Sequence, residues 1–133
     1  MASLLRSCRH LSNEEQALEK HHTEEFLRQA EQAKAQVKMI AATEVDAARA
    51  SGAVVIDVRD ADEHTQAHIP GAVNISLKVL VNQAEQALPD KDALIICYCN
   101  GGNRGALGAA TLNQLGFTNV HSIAGGFRAY AAR

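Results

Sequence analysis

The chain has 133 residues, a formal net charge of −2 and 47% hydrophobic residues, enough for one compact core plus an appendage. It lacks the basic excess of a nucleic-acid or anionic-membrane surface, and no apolar run approaches the roughly 20 residues needed to span a bilayer, so no nucleic acid and no membrane is expected as a partner. Three cysteines are an odd number and too few for a disulfide scaffold, which points to a reducing, cytoplasmic setting.

Met1 to His10 carries two arginines and no acid but has no secretory apolar run, so an untargeted start is expected rather than a transit peptide. Ser12 to Lys38 is rich in Glu, Gln, Ala and Lys, has no Gly or Pro, and reads as a helix opened by a Ser12–Glu15 capping box. Phe26, Ala30, Ala33, Val37 and Ile40 recur at spacings of four and three and form one narrow apolar stripe. That stripe fits packing on the chain's own domain, or docking of a partner or second copy.

From Met39 strands and helices alternate. Thr43 reads as the N-cap of a helix through Ala50, closed by Gly52. Ala53–Val58 is a β-branched, buried strand, Ala61–Ala67 a short helix stopped before Pro70, and Val73–Ile75 a short strand. Leu77–Leu88 reads as a helix, Ala93–Tyr98 as a second strong strand, and Arg104–Leu115 as a helix closed by Gly116. Asn119–Ile123 is a weaker strand and Phe127–Ala131 a last short helix. Strands joined by helices predict an α/β fold with a mostly parallel sheet covered on both faces. The division expected is a tail and helical extension over 1–38 and an α/β domain over 39–133. In such sheets ligands gather beyond the carboxyl ends of strands, which directs attention to the loops after Val58 and Tyr98.

The second of these loops, Cys99-Asn100-Gly101-Gly102-Asn103-Arg104, has a common physical logic. Gly and Asn tolerate left-handed backbone, so the loop can curl with its amides pointing inward. Such a nest beside a helix N-terminus stabilises negative charge. A cysteine at its mouth is favoured as the thiolate, and Arg104 adds a fixed positive charge. The pattern suits a nucleophilic thiolate, or the persulfide made from it, and needs no cofactor or metal.

This loop resembles the active-site loop of single-domain rhodaneses, which opens with a sulfur-carrying cysteine. Asp57-Val58-Arg59, Glu63, His68-Ile69-Pro70-Gly71-Ala72 and Asn74-Ile75 resemble that family's upstream signature, and Gly125-Gly126-Phe127 its C-terminal one. The resemblance runs from about Met39 to Arg133 and departs at Ala67, where the family often has Gly, and at His64, where an aromatic is common. It implies a five-stranded parallel sheet between helices and a ping-pong transfer of sulfane sulfur. Thiosulfate or a persulfide would load Cys99, and a thiol, or cyanide in an assay, would unload it. Asp57, Arg59 and Glu63 are expected to position the upstream loop through hydrogen bonds. Arg104 would either steer an anionic donor or anchor the loop on an acid, and anchoring is preferred because a first-turn helix residue often points away from a nest.

Other chemistries fit less well. Cysteine phosphatases place five residues between Cys and Arg, whereas Cys99 and Arg104 enclose four, a smaller cradle. Cys97, Cys99, His64 and His68 lack the paired C-x2-C spacing of a zinc site, and no nucleotide-binding glycine motif is present. Cys97 is expected to face the core, and Cys8 has no role. The sequence therefore predicts a sulfurtransferase acting on a small sulfur donor and a thiol acceptor. Its rival is a sulfur-carrier or interaction module that uses the 12–38 helix for partner docking or homodimerisation and turns over thiosulfate poorly.

Overall fold

The computed structural model describes residues 13–133, with side chains from residue 24 onward. The Ser12 capping box, Cys8 and the Met1–His10 segment lie outside these described residues. Helix α1 spans Asn13–Gln36 and is followed by a short strand β1, Lys38–Ile40. A 3-10 turn, Ala42–Glu44, leads into α2, Val45–Ala50, and then β2, Val54–Asp57, α3, Ala61–Gln66, and β3, Val73–Asn74. The chain continues through α4, Leu80–Ala87, β4, Ile95–Tyr98, α5, Asn103–Gln114, β5, Val120–Ile123, and α6, Gly126–Ala132.

The five strands are all parallel, in the order β1-β5-β4-β2-β3. After β2 the chain moves outward to β3, and after β4 it moves the opposite way to β5. The gap between the carboxyl ends of β2 and β4 is therefore the topological switch point, where open α/β sheets hold their ligands.

Both faces of the sheet are buried, which is why β2 and β4 read as apolar runs rather than as alternating strands. Along β4, Ile95 and Cys97 enter one core cluster and Ile96 and Tyr98 the other, as the two-residue period of a strand requires. The first cluster packs against α1, α4 and α5 through Ala33, Val37, Leu80, Ala106, Ala109 and Leu112. The second packs against α2 and α6 through Val45 and Tyr130.

Most element ends shift by one or two residues from the sequence expectation, and three differences have a clear physical reason. Strand β1 was not foreseen: it is three residues long, and Ile40 falls by coincidence on the helical spacing from Val37. The helix closes with Val37 N–H donating to the Ala33 carbonyl at 2.9 Å, and Lys38–Ile40 then pairs with His121–Ile123 of β5. Thr43 caps nothing. It sits inside the 3-10 turn, where Glu44 N–H already donates to the Ala41 carbonyl at 2.9 Å, so Glu44 takes the N-cap position of α2. Helix α4 starts at Leu80, not Leu77: the preceding residues form a turn in which Val79 N–H donates to the Ser76 carbonyl at 3.0 Å, while Leu77 N–H ties to the Val58 carbonyl at 3.0 Å.

Helix α5 reaches the sheet through Gly105. A methyl group there would lie 3.0 Å from Ser122 Oγ, 3.2 Å from Tyr98 Cα and 3.3 Å from Cys99 N. Gly105→Ala gains about 1 kcal/mol of helical propensity, but overpacking against buried backbone costs roughly 1–3 kcal/mol. Urea denaturation should show a net loss of about 1 kcal/mol.

Candidate active site

Cys99 follows directly on β4 and is 2% exposed. It forms the floor of a pocket of about 220 Å³ lined also by Asn100, Gly101, Asn103, Arg104 and Arg128, with Phe26 of α1 at the wall. Gly102 has the left-handed φ of 112°, and its N–H donates to Cys99 Sγ at 3.1 Å. Asn100 and Asn103 keep negative φ, so the curl falls on Gly102 rather than being shared among the loop's Asn and Gly residues. Helix α5 begins at Asn103, which turns its positive end toward the loop.

Two supports hold this loop. Beneath it, the start of α6 donates Phe127 N–H to the Cys99 carbonyl at 2.7 Å and Arg128 N–H to the Asn100 carbonyl at 3.1 Å. Gly126 makes the approach feasible. It has φ 63°, and a Cβ there would collide with the Cys99 carbonyl and stand 2.6 Å from that of Asn100. This is a steric reason for the Gly125-Gly126-Phe127 motif.

Beside the loop, Glu63 of α3 accepts two bonds from the Arg104 guanidinium, at 2.8 and 3.0 Å, and one from Asn100 Nδ2 at 3.0 Å. Arg104 is thus an anchor, although its side chain still lines the pocket. Glu63 is also the N3 residue of the α3 capping box, reaching back to Asp60 N–H at 3.2 Å. From sequence, Glu63 is expected to position the upstream loop and Arg104 to anchor on an acid; that Glu63 is this acid appears only in the fold.

Asp57 and Arg59 stay out of the pocket and lie behind it. Asp57 is fully buried and Arg59 3% exposed. The carboxylate takes Arg59 Nε at 2.9 Å and NH2 at 2.8 Å, Tyr98 Oη at 3.1 Å and His64 Nδ1 at 2.9 Å. Arg59 also donates to Asn100 Oδ1 at 2.9 Å and to the Ala67 carbonyl at 2.6 Å. The pair therefore positions the active loop as well as the upstream one.

The electrostatics follow from these contacts. Burial alone would raise the Asp57 carboxyl, but the bonds from Arg59 and His64 outweigh it and hold it below the ordinary value. The Arg104 guanidinium holds Glu63 down at about 2. Cys97 faces the core as expected, 0% exposed, and burial pushes its thiol up to about 12. His64 and His68 are occupied: their rings stack at 3.8 Å, and His68 Nδ1 meets the His64 carbonyl at 2.7 Å. Among the described residues no three His, Cys, Asp or Glu side chains converge as a metal site would require.

The family model described as Rhodanese-like domain matches residues 41–133. The chain belongs to the rhodanese family. It is 39% identical over 90 residues to the thiosulfate sulfurtransferase GlpE of Pseudomonas entomophila, covering 68% of this chain and 81% of that one. It is 37% identical over 70 residues to the thiosulfate sulfurtransferase PspE of Escherichia coli, covering 53% and 67%. Among solved structures, the human single-domain sulfurtransferase TSTD1 superposes with a TM-score of 0.65 at 29% identity, covering 71% of this chain and 96% of that one. A Rhodopseudomonas palustris protein of unknown function, described as a possible tyrosine phosphatase, superposes at 0.72 with 26% identity, covering 80% and 89%.

The two departures from the rhodanese pattern have local explanations. Ala67 has φ −166°, extended backbone open to any residue, and His64 replaces an aromatic with a ring that both stacks and donates to Asp57.

Because the Glu63 carboxyl is depressed, its contribution to stability is complete above its ordinary value of 4.5 and is lost as pH falls toward about 2. Wild-type protein should lose stability across that window more steeply than Glu63→Gln, as read by denaturation at stepped pH.

Proposed function

We propose that this rhodanese-family sulfurtransferase carries sulfane sulfur as a persulfide on Cys99. Thiosulfate or a persulfide loads it, and a thiol, or cyanide in an assay, unloads it. The observation that carries the reading is the Gly102 N–H aimed at Cys99 Sγ from 3.1 Å at the floor of an open pocket. A thiolate there attacks the outer sulfur of thiosulfate. The new S–S bond forms as the old one breaks, and sulfite leaves with the electron pair. The loop amides from Asn100 to Arg104 then hold the terminal sulfur anion. An acceptor thiolate or cyanide takes that sulfur and returns Cys99 as a thiolate. Arg104 is engaged by Glu63, so the exposed Arg128 at the pocket rim is the cation placed to meet an anionic donor.

Four residues between Cys99 and Arg104 favour this reading over phosphate-ester hydrolysis, since one sulfur atom needs less room than a tetrahedral oxyanion. The docking-module alternative rests on the 12–38 helix, which lies outside the family match; burial of Ala30, Ala33 and Val37 of its apolar stripe within the protein leaves it less apolar surface to offer a partner. A reversible persulfide suits the reducing cytoplasm, and none of the described helices is long and apolar enough to cross a membrane.

Steady-state thiocyanate formation from thiosulfate and cyanide tests the reaction. Parallel double-reciprocal lines are expected, as for any covalent carrier. Cys99→Ser should cut turnover by roughly three orders of magnitude or more, as loss of a nucleophile does. Near-normal turnover in Cys99→Ser would exclude the mechanism.

A further inference from the structure

Helix α1 lies outside the 41–133 match to the family, yet one of its residues reaches the site. Phe26 lines the Cys99 pocket and also a neighbouring pocket of about 390 Å³, whose lining includes Val58, Asp60, Ser76, Leu77 and Lys78. Arg104 borders both. Phe26 is half-buried and belongs to neither core cluster, whereas Ala33 and Val37 of the same stripe do. The stripe thus has two parts. Its later residues fasten α1 to the domain, and its first residue puts an aromatic ring in the lining of the Cys99 pocket.

The two pockets differ in chemistry. Around Cys99 the lining is polar and cationic, with Asn100, Arg104 and Arg128. Beyond Phe26 the surface it exposes is largely apolar, with Val58 and Leu77, although Asp60, Ser76 and Lys78 also line it. Thiosulfate would use only the first. A donor that filled both would carry an anionic sulfur head and an apolar organic group.

We propose that Phe26 is a specificity-determining residue. On the Cys99 reading above, it and Leu77 receive the organic group of a sulfane donor such as a thiosulfonate, R–SO2–S⁻. The Cys99 thiolate attacks the terminal sulfur, the S–S bond of the donor breaks, and the sulfinate R–SO2⁻ leaves with the electron pair. Charge and atoms balance as they do for thiosulfate, with carbon in place of one oxygen. Apolar pockets discriminate through such groups by roughly 10-fold or more per methylene-sized difference, and a flat ring on a flat ring adds aromatic contact.

The test compares kcat/KM for benzenethiosulfonate and methanethiosulfonate in the full chain, in wild type, Phe26→Ala and Phe26→Tyr. The difference in leaving group is the same for all three proteins, so it cancels when the ratio is compared between them. The ratio should fall about tenfold in Phe26→Ala and persist in Phe26→Tyr, which keeps the ring. Circular dichroism should show α1 intact in both variants. An unchanged ratio in Phe26→Ala would overturn the assignment while leaving the Cys99 chemistry standing. Failure of both thiosulfonates to load sulfur on a wild-type Cys99 that thiosulfate does load would overturn this inference alone, whereas failure of thiosulfate and an organic persulfide as well would refute the Cys99 reading and this inference with it.

Discussion

A buried guanidinium organises this site. Arg59 packs against both the Tyr98 and Phe127 rings, 5.5 and 5.0 Å from their centroids, and donates to Asp57, the Ala67 carbonyl and Asn100. A buried ion pair contributes little net stability over an apolar substitute, but breaking one costs about 3–5 kcal/mol because a charge is left unpaired. Its contribution is positional. One planar group fixes the end of β2, the exit of α3 and the first residue after the reactive cysteine. Only a site with every donor satisfied can hold that arrangement in the dry interior.

Three segments far apart in sequence then meet at the switch point of the sheet. The stretch from Asp57 to Ile69 supplies the buried network, Cys99 to Gly105 the reactive loop, and Gly125 to Arg128 the backbone support beneath that loop. Each would be a weak signal alone: a short acid–base pattern, a cysteine before glycines, a glycine pair. They become one site because parallel topology brings the carboxyl ends of β2 and β4 together and because Gly126 lets α6 touch the backbone of the loop. Helix α1 is fastened to this frame from outside it and adds an apolar wall through Phe26.

What could be read from the sequence follows from the range of each interaction. The β-branched runs at 53–58 and 93–98 announce buried strands, since burial on both faces leaves a continuous apolar signal. Strand β1 leaves none, because three residues at a sheet edge carry too little pattern and Ile40 also fits the helix before it. The Cys99 loop was legible because backbone curl and charge depend on adjacent residues. The bond from Arg104 to Glu63 spans 41 positions, and no local spacing encodes it. Asp57 and Arg59 were recognised as structural, but the reach of Arg59 to Asn100 required the fold. Phe26 was placed in the correct stripe, yet periodicity cannot separate a residue that enters the core from one that stops at a pocket.

The central claim is that sulfur resides on Cys99 and not on the neighbouring Cys97, whose thiol is fully buried and held up at about 12. The most direct measurement is intact mass under non-reducing conditions after incubation with thiosulfate, followed by peptide mapping, for wild type and Cys99→Ser. The expected result is a gain of one sulfur atom in the wild type, located on Cys99, removed by cyanide and missing from the mutant. Sulfur mapped to Cys97, or no gain by a folded and reduced wild type from thiosulfate or an organic persulfide, would contradict the account.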